Sequence, residues 1–120
     1  MATRALRGAI TVDNNTREDI LEGTTLLLKE IIERNNLKTD DMISVIFTAT
    51  PDLNAVFPAV AARELGITNV SLLDMQELSV PGSLQKCIRI LLHFNTDKKN
   101  NELKHVYLRG AAVLRPDLTE

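Results

Sequence analysis

The sequence TREDILEGTTLLLKEIIERNN, residues 16–36, is the most strongly patterned part of the chain. Thr16 is followed three residues later by Asp19, which is the spacing of a helix capping box. Apolar side chains and one threonine then recur at helical spacing, namely Ile20, Thr24, Leu27, Leu28 and Ile31. The pattern predicts a helix that runs to Asn35-Asn36, and its apolar stripe needs a sheet to cover.

Short apolar and β-branched segments around this helix predict the strands of that sheet. The segments expected to be strands are residues 4–12, 42–48, 70–73 and 105–108. Residues 58–65 predict a short helix, since Pro58 suits a first turn and Gly66 suits a C-terminal cap. The apolar run 87–94 fits a strand or a helix equally well by its period. Strands and helices interleave, so the fold class is α/β or α+β.

The composition predicts a small cytoplasmic domain. The 120 residues fit one domain, 1–120, which is marginal alone and would gain stability from oligomerisation. A net charge of −2 argues against a nucleic-acid-binding module. The single cysteine, Cys87, excludes an intramolecular disulfide and suits a reducing compartment. No signal peptide or membrane span is recognisable, so we expect no membrane partner and a cytoplasmic location.

Familiar catalytic motifs are missing from the sequence. It has no Gly-rich phosphate loop, no Cys/His cluster with metal-ligand spacing and no serine elbow. Cys87 on an apolar run is interpreted as a packed thiol. The two histidines, His93 and His105, are interpreted as surface or strand-edge residues. These features predict neither a metal nor a covalent nucleophile.

What remains is a set of charges beside apolar segments: Arg7, Arg63, Glu77, Arg89 and Arg115. Arg89 interrupts a buried run, where an arginine needs an anionic partner or a wet cleft. Several arginines with few catalytic bases favour a site for a small polyanion, either a carboxylate or a phosphate. The residues taken alone predict an anion site and leave the reaction open.

Six blocks of sequence, in order and almost end to end, resemble the AroH-type chorismate mutases. They are RALRGA at 4–9, TATPDLNAVFPA at 48–59 with AREL at 62–65, MQE at 75–77, KCIR at 86–89, HVYL at 105–108 and VLRPDL at 113–118. The resemblance implies an α+β fold with a five-stranded mixed sheet backed by helices. It further implies that 88–94 is a strand and that three copies form a pseudo-α/β barrel trimer.

The resemblance also implies a reaction. The family converts chorismate to prephenate by an intramolecular Claisen-type rearrangement, on the route to phenylalanine and tyrosine. That isomerisation needs no metal, no cofactor, no proton transfer and no covalent intermediate. Catalysis then depends on holding the enolpyruvyl chain over the ring and on stabilising the charge that develops as the ether bond breaks.

Catalytic roles carry over from the family to matching residues. Arg89 is implied to donate to the breaking ether oxygen and to a carboxylate, using the guanidinium fork that lysine lacks. Arg7 is implied to bind a substrate carboxylate. Glu77 is implied to accept from the ring hydroxyl, and Tyr107 to bond the side-chain carboxylate. These four residues form one half of the implied site.

The other half of the implied site comes from a neighbouring subunit. Phe57 and Ala59 are implied to form an apolar wall, and Arg63 to add a cation. Leu114 is implied to pack on the substrate, and Arg115 to help close the site through the C-terminal segment. Chorismate and two further copies of the chain are therefore the expected partners.

The chain departs from the family pattern at several points near this site. Val60 stands where the pattern has a lysine, which removes positive charge at the pocket mouth. Leu73-Asp74 replaces Thr-Cys among the substrate-binding positions, and one residue is missing between Leu65 and Val70. The segment after Arg115 ends at Glu120 and is expected to be too short for a lid.

The orientation of Asp74 is left open by the sequence. If Asp74 lies beside Glu77, the two carboxylates resist joint ionisation and one of them stays protonated at mildly acidic pH. Alternatively, Asp74 points away or pairs with an arginine.

A non-catalytic trimeric binding module and a structural protein remain rivals to the enzyme. The joint presence of Arg7, Glu77, Arg89 and Tyr107 favours the enzyme, because stability alone does not require that combination.

Overall fold

The structure is a computed structural model that describes residues 1–115. Within these residues the five strands are β1 (Ala2–Thr11), β2 (Met42–Ala49), β3 (Ser71–Gln76), β4 (Cys87–Thr96) and β5 (Val106–Leu108). The α-helices are α1 (Arg17–Asn35) and α2 (Ala59–Glu64). Short 3₁₀-helices lie at Thr39–Asp41, Asn100–Glu102 and Arg109–Val113. The expectation that the C-terminal tail is too short for a lid concerns residues 116–120, which lie outside the described residues.

The strands form one mixed sheet in the order β3-β2-β4-β1-β5. β4 pairs antiparallel with both β1 and β2, whereas β3 runs parallel to β2 and β5 runs parallel to β1. The apolar run 87–94, whose period fits a strand or a helix equally well, thus lies in the central strand β4, which has neighbours on both sides. The expected α+β class with a five-stranded mixed sheet is confirmed.

Helix α1 covers one face of the sheet. Its stripe of Ile20, Thr24, Leu27, Leu28 and Ile31 is buried, as the spacing predicts. The helix packs closely at Gly8, where an added Cβ would lie 2.8 Å from Ile31 Cδ1 and 3.0 Å from the Val106 carbonyl oxygen. Glycine is therefore required at that point of β1, because any side chain would push the helix away.

The start of α1 differs in one detail from the capping box that its sequence predicts. Thr16 Oγ1 accepts from the Asp19 N–H at 3.1 Å, as expected of an N-cap. Asp19 does not return to the Thr16 N–H; its carboxylate accepts from the Asn14 N–H at 3.1 Å. The acidic side chain thus tethers the turn that leads out of β1 and only half of the capping box forms.

The C-terminal segment folds back against the sheet at Arg109, whose φ of +54° turns the chain sharply. The Arg109 guanidinium holds the Glu22 carboxylate of α1 through bonds of 2.8 and 2.9 Å. The Gly110 N–H donates to Thr11 Oγ1 at 2.9 Å. These contacts bring Ala111 against the second face of the sheet.

We call the sheet face opposite α1 the open face. It presents alternate residues of every strand, including Arg7 of β1 and Arg89 of β4. Apolar side chains are exposed there: Leu73 is 54% exposed and Met75 is 51% exposed. Patches of this kind mark surfaces that bind a partner or ligand. No helix in the described part of the chain is long and apolar enough to cross a membrane.

Candidate active site

A row of five residues crosses the open face from edge to edge, and it organises the candidate site. Strand register aligns Met75, Thr48, Arg89, Ala9 and Tyr107, one residue from each strand. Adjacent strands lie about 4.8 Å apart, so Arg89 and Tyr107 are two strand spacings from each other. Ala9, which stands between them, is fully buried in a small cluster against which Tyr107 packs.

The ion pair between Arg89 and Glu77 is the central feature of this row. Arg89 Nε lies 2.7 Å from Glu77 Oε1, and the side chains are 44% and 19% exposed. Glu77 directly follows β3 and is fixed by its backbone N–H, which donates to the Ala49 carbonyl at 3.0 Å. The expected anionic partner of Arg89 is confirmed. The pair uses Nε, and the terminal amino groups carry the other donors of the guanidinium.

Cys87 lies beneath this pair as a packed thiol, as the sequence predicts. It is buried with Ala9 and Ala111 in a small apolar cluster. Burial raises the pKa of the Cys87 thiol to about 11, against the opposing effect of the Arg89 charge and a hydrogen bond from Arg89. A thiol with that pKa is protonated at neutral pH and is not an activated nucleophile.

Tyr107 and Leu114 pack on the same small cluster, beside the row. Both are partly buried, and the folded-back C-terminal segment carries Leu114 into place. Ala111 connects Leu114 to this cluster, since the Leu114 N–H donates to the Ala111 carbonyl at 3.0 Å. The structure therefore brings these two predicted site residues to the same end of the open face as Arg89.

Arg7 lies on the open face two positions before Ala9 in β1, hence diagonally next to Arg89 and Tyr107. It lines a cavity of about 660 Å³ together with Ala5, Leu91, Asn100, Asn101, Leu103 and His105. The Arg7 backbone N–H donates to Nδ1 of His105 at 3.0 Å. Burial, followed by the charges of Arg7 and Arg115, lowers the pKa of His105 below its ordinary 6.5.

Phe57, Ala59 and Arg63 stand at the other edge of the sheet, around α2 and β3. Phe57 is 69% exposed and Ala59 is fully buried. Phe57 and Asp74 line a cavity of about 240 Å³, and Arg63 lines a separate one of about 230 Å³ with Leu72. Since β3 and β5 are opposite edges of the sheet, this group lies apart from Arg7 and Tyr107 within one chain.

Asp74 is held at the start of α2. Its Oδ1 accepts from the Ala59 N–H at 3.0 Å, and strand alternation turns it toward the face that carries α1. Burial raises the pKa of the Asp74 carboxyl, while the Ala59 bond and the Arg63 charge oppose the rise. The geometry agrees with the alternative in which Asp74 points away from Glu77. Leu73, the preceding residue, faces the open side.

His105 is the contact that the sequence interpretation missed. It was expected at the surface or at a strand edge; it does precede the edge strand β5, but it is half-buried against Arg7. The signal was available, because His105 and Tyr107 are two residues apart in a strand-like segment and such residues share a face. Among residues 1–115, no group of three or more His, Cys, Asp or Glu side chains is placed to hold a metal ion.

Comparisons with known proteins agree on one family. The model of the family described as chorismate mutase type I matches residues 3–118. The chain is 48% identical over 120 residues to the chorismate mutase AroH of Bacillus subtilis, covering 99% of this chain and 94% of that protein. It is 47% identical to the chorismate mutase AroH of Thermus thermophilus, covering 96% of this chain and 95% of that protein. A solved chorismate mutase from Clostridium thermocellum superimposes with a TM-score of 0.90 at 55% identity, covering 92% of this chain and 98% of the other.

Proposed function

The chain belongs to the chorismate mutase type I family and is a chorismate mutase, an isomerase, and we propose that Arg89 and Glu77 are the centre of its catalytic site. The observation that carries this proposal is their 2.7 Å ion pair on the open face, in line with Tyr107 and diagonal to Arg7. The non-catalytic and purely structural alternatives are set aside by the family assignment.

Arg89 stabilises the charge that develops on the ether oxygen of chorismate. In this rearrangement the C–O bond breaks as the new C–C bond forms within one molecule, and no proton moves. Glu77 holds Nε and so orients the terminal amino groups of Arg89. A donor that is fixed before the reaction stabilises the transition state without reorganisation at the moment of bond breaking.

Arg7 and Tyr107 bind the substrate carboxylates and hold the enolpyruvyl side chain over the ring. A dianion that is anchored at two points loses its rotational freedom on binding, and this preorganisation accounts for a large part of the rate enhancement in a unimolecular reaction. Glu77 accepts from the ring hydroxyl. Leu114 packs on the ring, and Arg115 closes the site.

Each site is completed by a second subunit of a homotrimer. Phe57, Arg63 and Leu73 of one subunit face Arg7, Glu77, Arg89 and Tyr107 of the next. Ala59 and Asp74, joined by the bond from the Ala59 N–H, hold α2 against β3 in the first of these halves. Two observations support this arrangement. Phe57, Ala59 and Arg63 lie at the β3 edge of the sheet, whereas Arg7 and Tyr107 lie on the other side of β4, on β1 and the edge strand β5. The open face also carries exposed apolar side chains. A cyclic trimer joins unlike edges head to tail at all of its interfaces. The trimer acts in the cytoplasm as a single-domain enzyme without a cofactor.

Mixed assembly of two inactive variants tests the shared site. Arg63→Ala and Arg89→Ala are each expected to be nearly inactive in a spectrophotometric assay of chorismate consumption. Unfolded together in equal amounts and refolded, they should regain about a quarter of wild-type activity, because random assembly leaves about one interface in four with two intact halves. Each variant refolded alone should regain nothing.

The matched control replaces an arginine outside both groups. Arg34→Ala removes a surface pair with Glu30 on α1 and should refold to wild-type activity by itself. If the mixture of Arg63→Ala and Arg89→Ala stays inactive while the control refolds, then the two arginines serve the same half-site or the site lies within one chain. If Arg89→Ala alone is nearly as active as wild type, the catalytic assignment is wrong.

A further inference from the structure

The side chain of His105 ends the hydrogen-bond ladder between β1 and β5. The parallel register pairs Gly8 with Val106, and β5 begins at Val106. One position earlier, the Arg7 N–H donates a hydrogen bond to Nδ1 of His105 at 3.0 Å. A side-chain nitrogen thus replaces a backbone carbonyl at the residue that carries the guanidinium.

We propose that His105 is a positioning residue for Arg7 and that only its neutral form, with Nδ1 unprotonated, holds Arg7 in place for substrate binding. The inference rests on the proposed role of Arg7 as a ligand for a substrate carboxylate. His105 does not touch the reacting atoms in this scheme. It fixes the backbone from which Arg7 reaches the open face, and its protonation releases that backbone.

The hydrogen bond depends on the charge state of the ring. A neutral imidazole has one acceptor nitrogen, whereas the imidazolium has two donors and no acceptor. On protonation, the N–H at Nδ1 would point at the N–H of Arg7, and a strand ladder bond would become a clash of two donors. The Arg7 N–H is partly buried, and a donor that loses its acceptor there is costly, so the local backbone would shift.

The charges around His105 oppose its protonation. Within residues 1–115, Arg7 from β1 and Arg115 from the C-terminal segment are the charged groups that act on it. The 3₁₀-helix at Asn100–Glu102 lends two uncharged asparagines to the same cavity, and its glutamate accepts from the Lys99 N–H at 2.9 Å. A third cation at this place is therefore disfavoured. Burial is the larger effect, and together with these two charges it lowers the pKa of His105 below 6.5. His105 is neutral at neutral pH and becomes protonated only on the acid side.

Two substitutions at His105 distinguish the effect of the hydrogen-bond acceptor from the effect of protonating the ring. Asparagine places an amide oxygen near the position of Nδ1 and does not titrate, so His105→Asn keeps the bond at every pH. His105→Ala removes the acceptor altogether. The KM for chorismate and kcat are measured for wild type and both variants in steps from about pH 5 to pH 8, across the ordinary range of a histidine pKa.

We expect the effect in KM rather than in kcat. Wild-type KM should rise about threefold to tenfold as the pH falls through the pKa of His105, which corresponds to the loss of one hydrogen bond. His105→Asn should show a flat KM near the neutral wild-type value. His105→Ala should show a raised KM at all pH values with a similar kcat. The matched control is His93→Asn, which alters the other histidine of the open face, near Ser44 Oγ at 3.2 Å, and should keep the wild-type profile.

Persistence of the wild-type rise in KM in His105→Asn would overturn the inference, as would a wild-type KM in folded His105→Ala. If His105→Ala does not fold, the comparison of wild type with His105→Asn still decides. Arg7→Ala tests the proposed role of Arg7 separately from the positioning role of His105. A raised KM in Arg7→Ala with no effect of His105 contradicts only the positioning role, whereas an unchanged KM in Arg7→Ala contradicts the proposed role of Arg7 and the inference with it.

Discussion

The two faces of the sheet are built from alternate residues of the same strands and have opposite characters. On the α1 side, Leu6, Ile10 and Leu92 are fully buried. On the open face, Arg7 and Arg89 stand among partly exposed apolar side chains. Neighbours in one strand thus belong to different physical environments. A substitution on the α1 side should change stability, and one on the open face should change catalysis or assembly.

Leu92→Ala should give the largest effect on stability. Leu92 is fully buried between Leu6 and Val45 on the neighbouring strands. Truncation removes buried methyl groups and leaves a cavity, which costs about 2–5 kcal/mol. Urea denaturation at a fixed protein concentration measures the loss, since an oligomer's stability depends on concentration. The kcat of the folded fraction should stay near wild type, and a large fall in kcat would break the separation of the two faces.

Arg89→Lys should give the complementary result. Lysine keeps the charge but loses the fixed fork, and loss of one such donor costs about 100-fold to 1000-fold in turnover. We expect kcat to fall far more than KM rises. The urea midpoint should move little, because Arg89 is 44% exposed and its pair with Glu77 lies at the surface. A variant with near-normal kcat, or one that is inactive only because it unfolds, would contradict the assignment.

Met75→Lys tests whether the open face is the assembly surface. Met75 is 51% exposed in the single chain, and burial of a methionine contributes about 1.5–3 kcal/mol. A lysine there should weaken association by at least about tenfold, seen by sedimentation velocity over a dilution series. Leu26→Lys is the matched control, since Leu26 is also exposed but lies on α1. Equal dissociation of both variants, or of neither, would argue against this surface.

Asp74→Asn should give the smallest effect and sharpens the comparison, because Asp74 is a carboxylate on the α1 side. Its pKa is raised in the folded state, mainly by burial, so the fold favours the protonated form. The stability contribution of Asp74 is therefore greatest at low pH and is lost as the pH rises through its folded pKa. Asparagine keeps the acceptor for the Ala59 N–H without the charge.

The midpoint of thermal unfolding of Asp74→Asn should exceed that of wild type at pH 7 by no more than about 3 °C. The difference should vanish as the pH approaches the ordinary aspartate pKa of 3.8. A variant that is less stable than wild type at pH 7 would show that the attraction between Asp74 and Arg63 outweighs the cost of burial.

The sequence predicts best what depends on local periodicity. Helix α1 was predictable to within a residue or two because its stripe, from Ile20 to Ile31, repeats over about three helical turns. The β4 segment was not, because the identity of a short apolar run is decided by pairing with β1 and β2. For Arg89 the apolar run around it predicted either an anionic partner or a wet cleft, and only the tertiary structure shows that the partner is Glu77.

Contacts between distant parts of the chain were beyond pattern reasoning. The bond from Arg7 to His105 joins residues 98 positions apart, and it forms only because β5 lies beside β1. The bond from Ala59 to Asp74 depends on how α2 is set against β3. In both cases residue type indicates that a partner is required, and only tertiary placement selects the partner.

The alternation of faces also limits where the chain tolerates insertions and deletions. Removing one residue inside β4 before Arg89 would turn the guanidinium toward α1 and Ile90 toward solvent, and every later residue of the strand would follow. Length can change only between elements. The turn between Leu65 and Val70 is such a place, because Gly66 has a φ of +87° and no atom lies within 4 Å of a Cβ added there. A short peptide grafted there should leave both faces in frame.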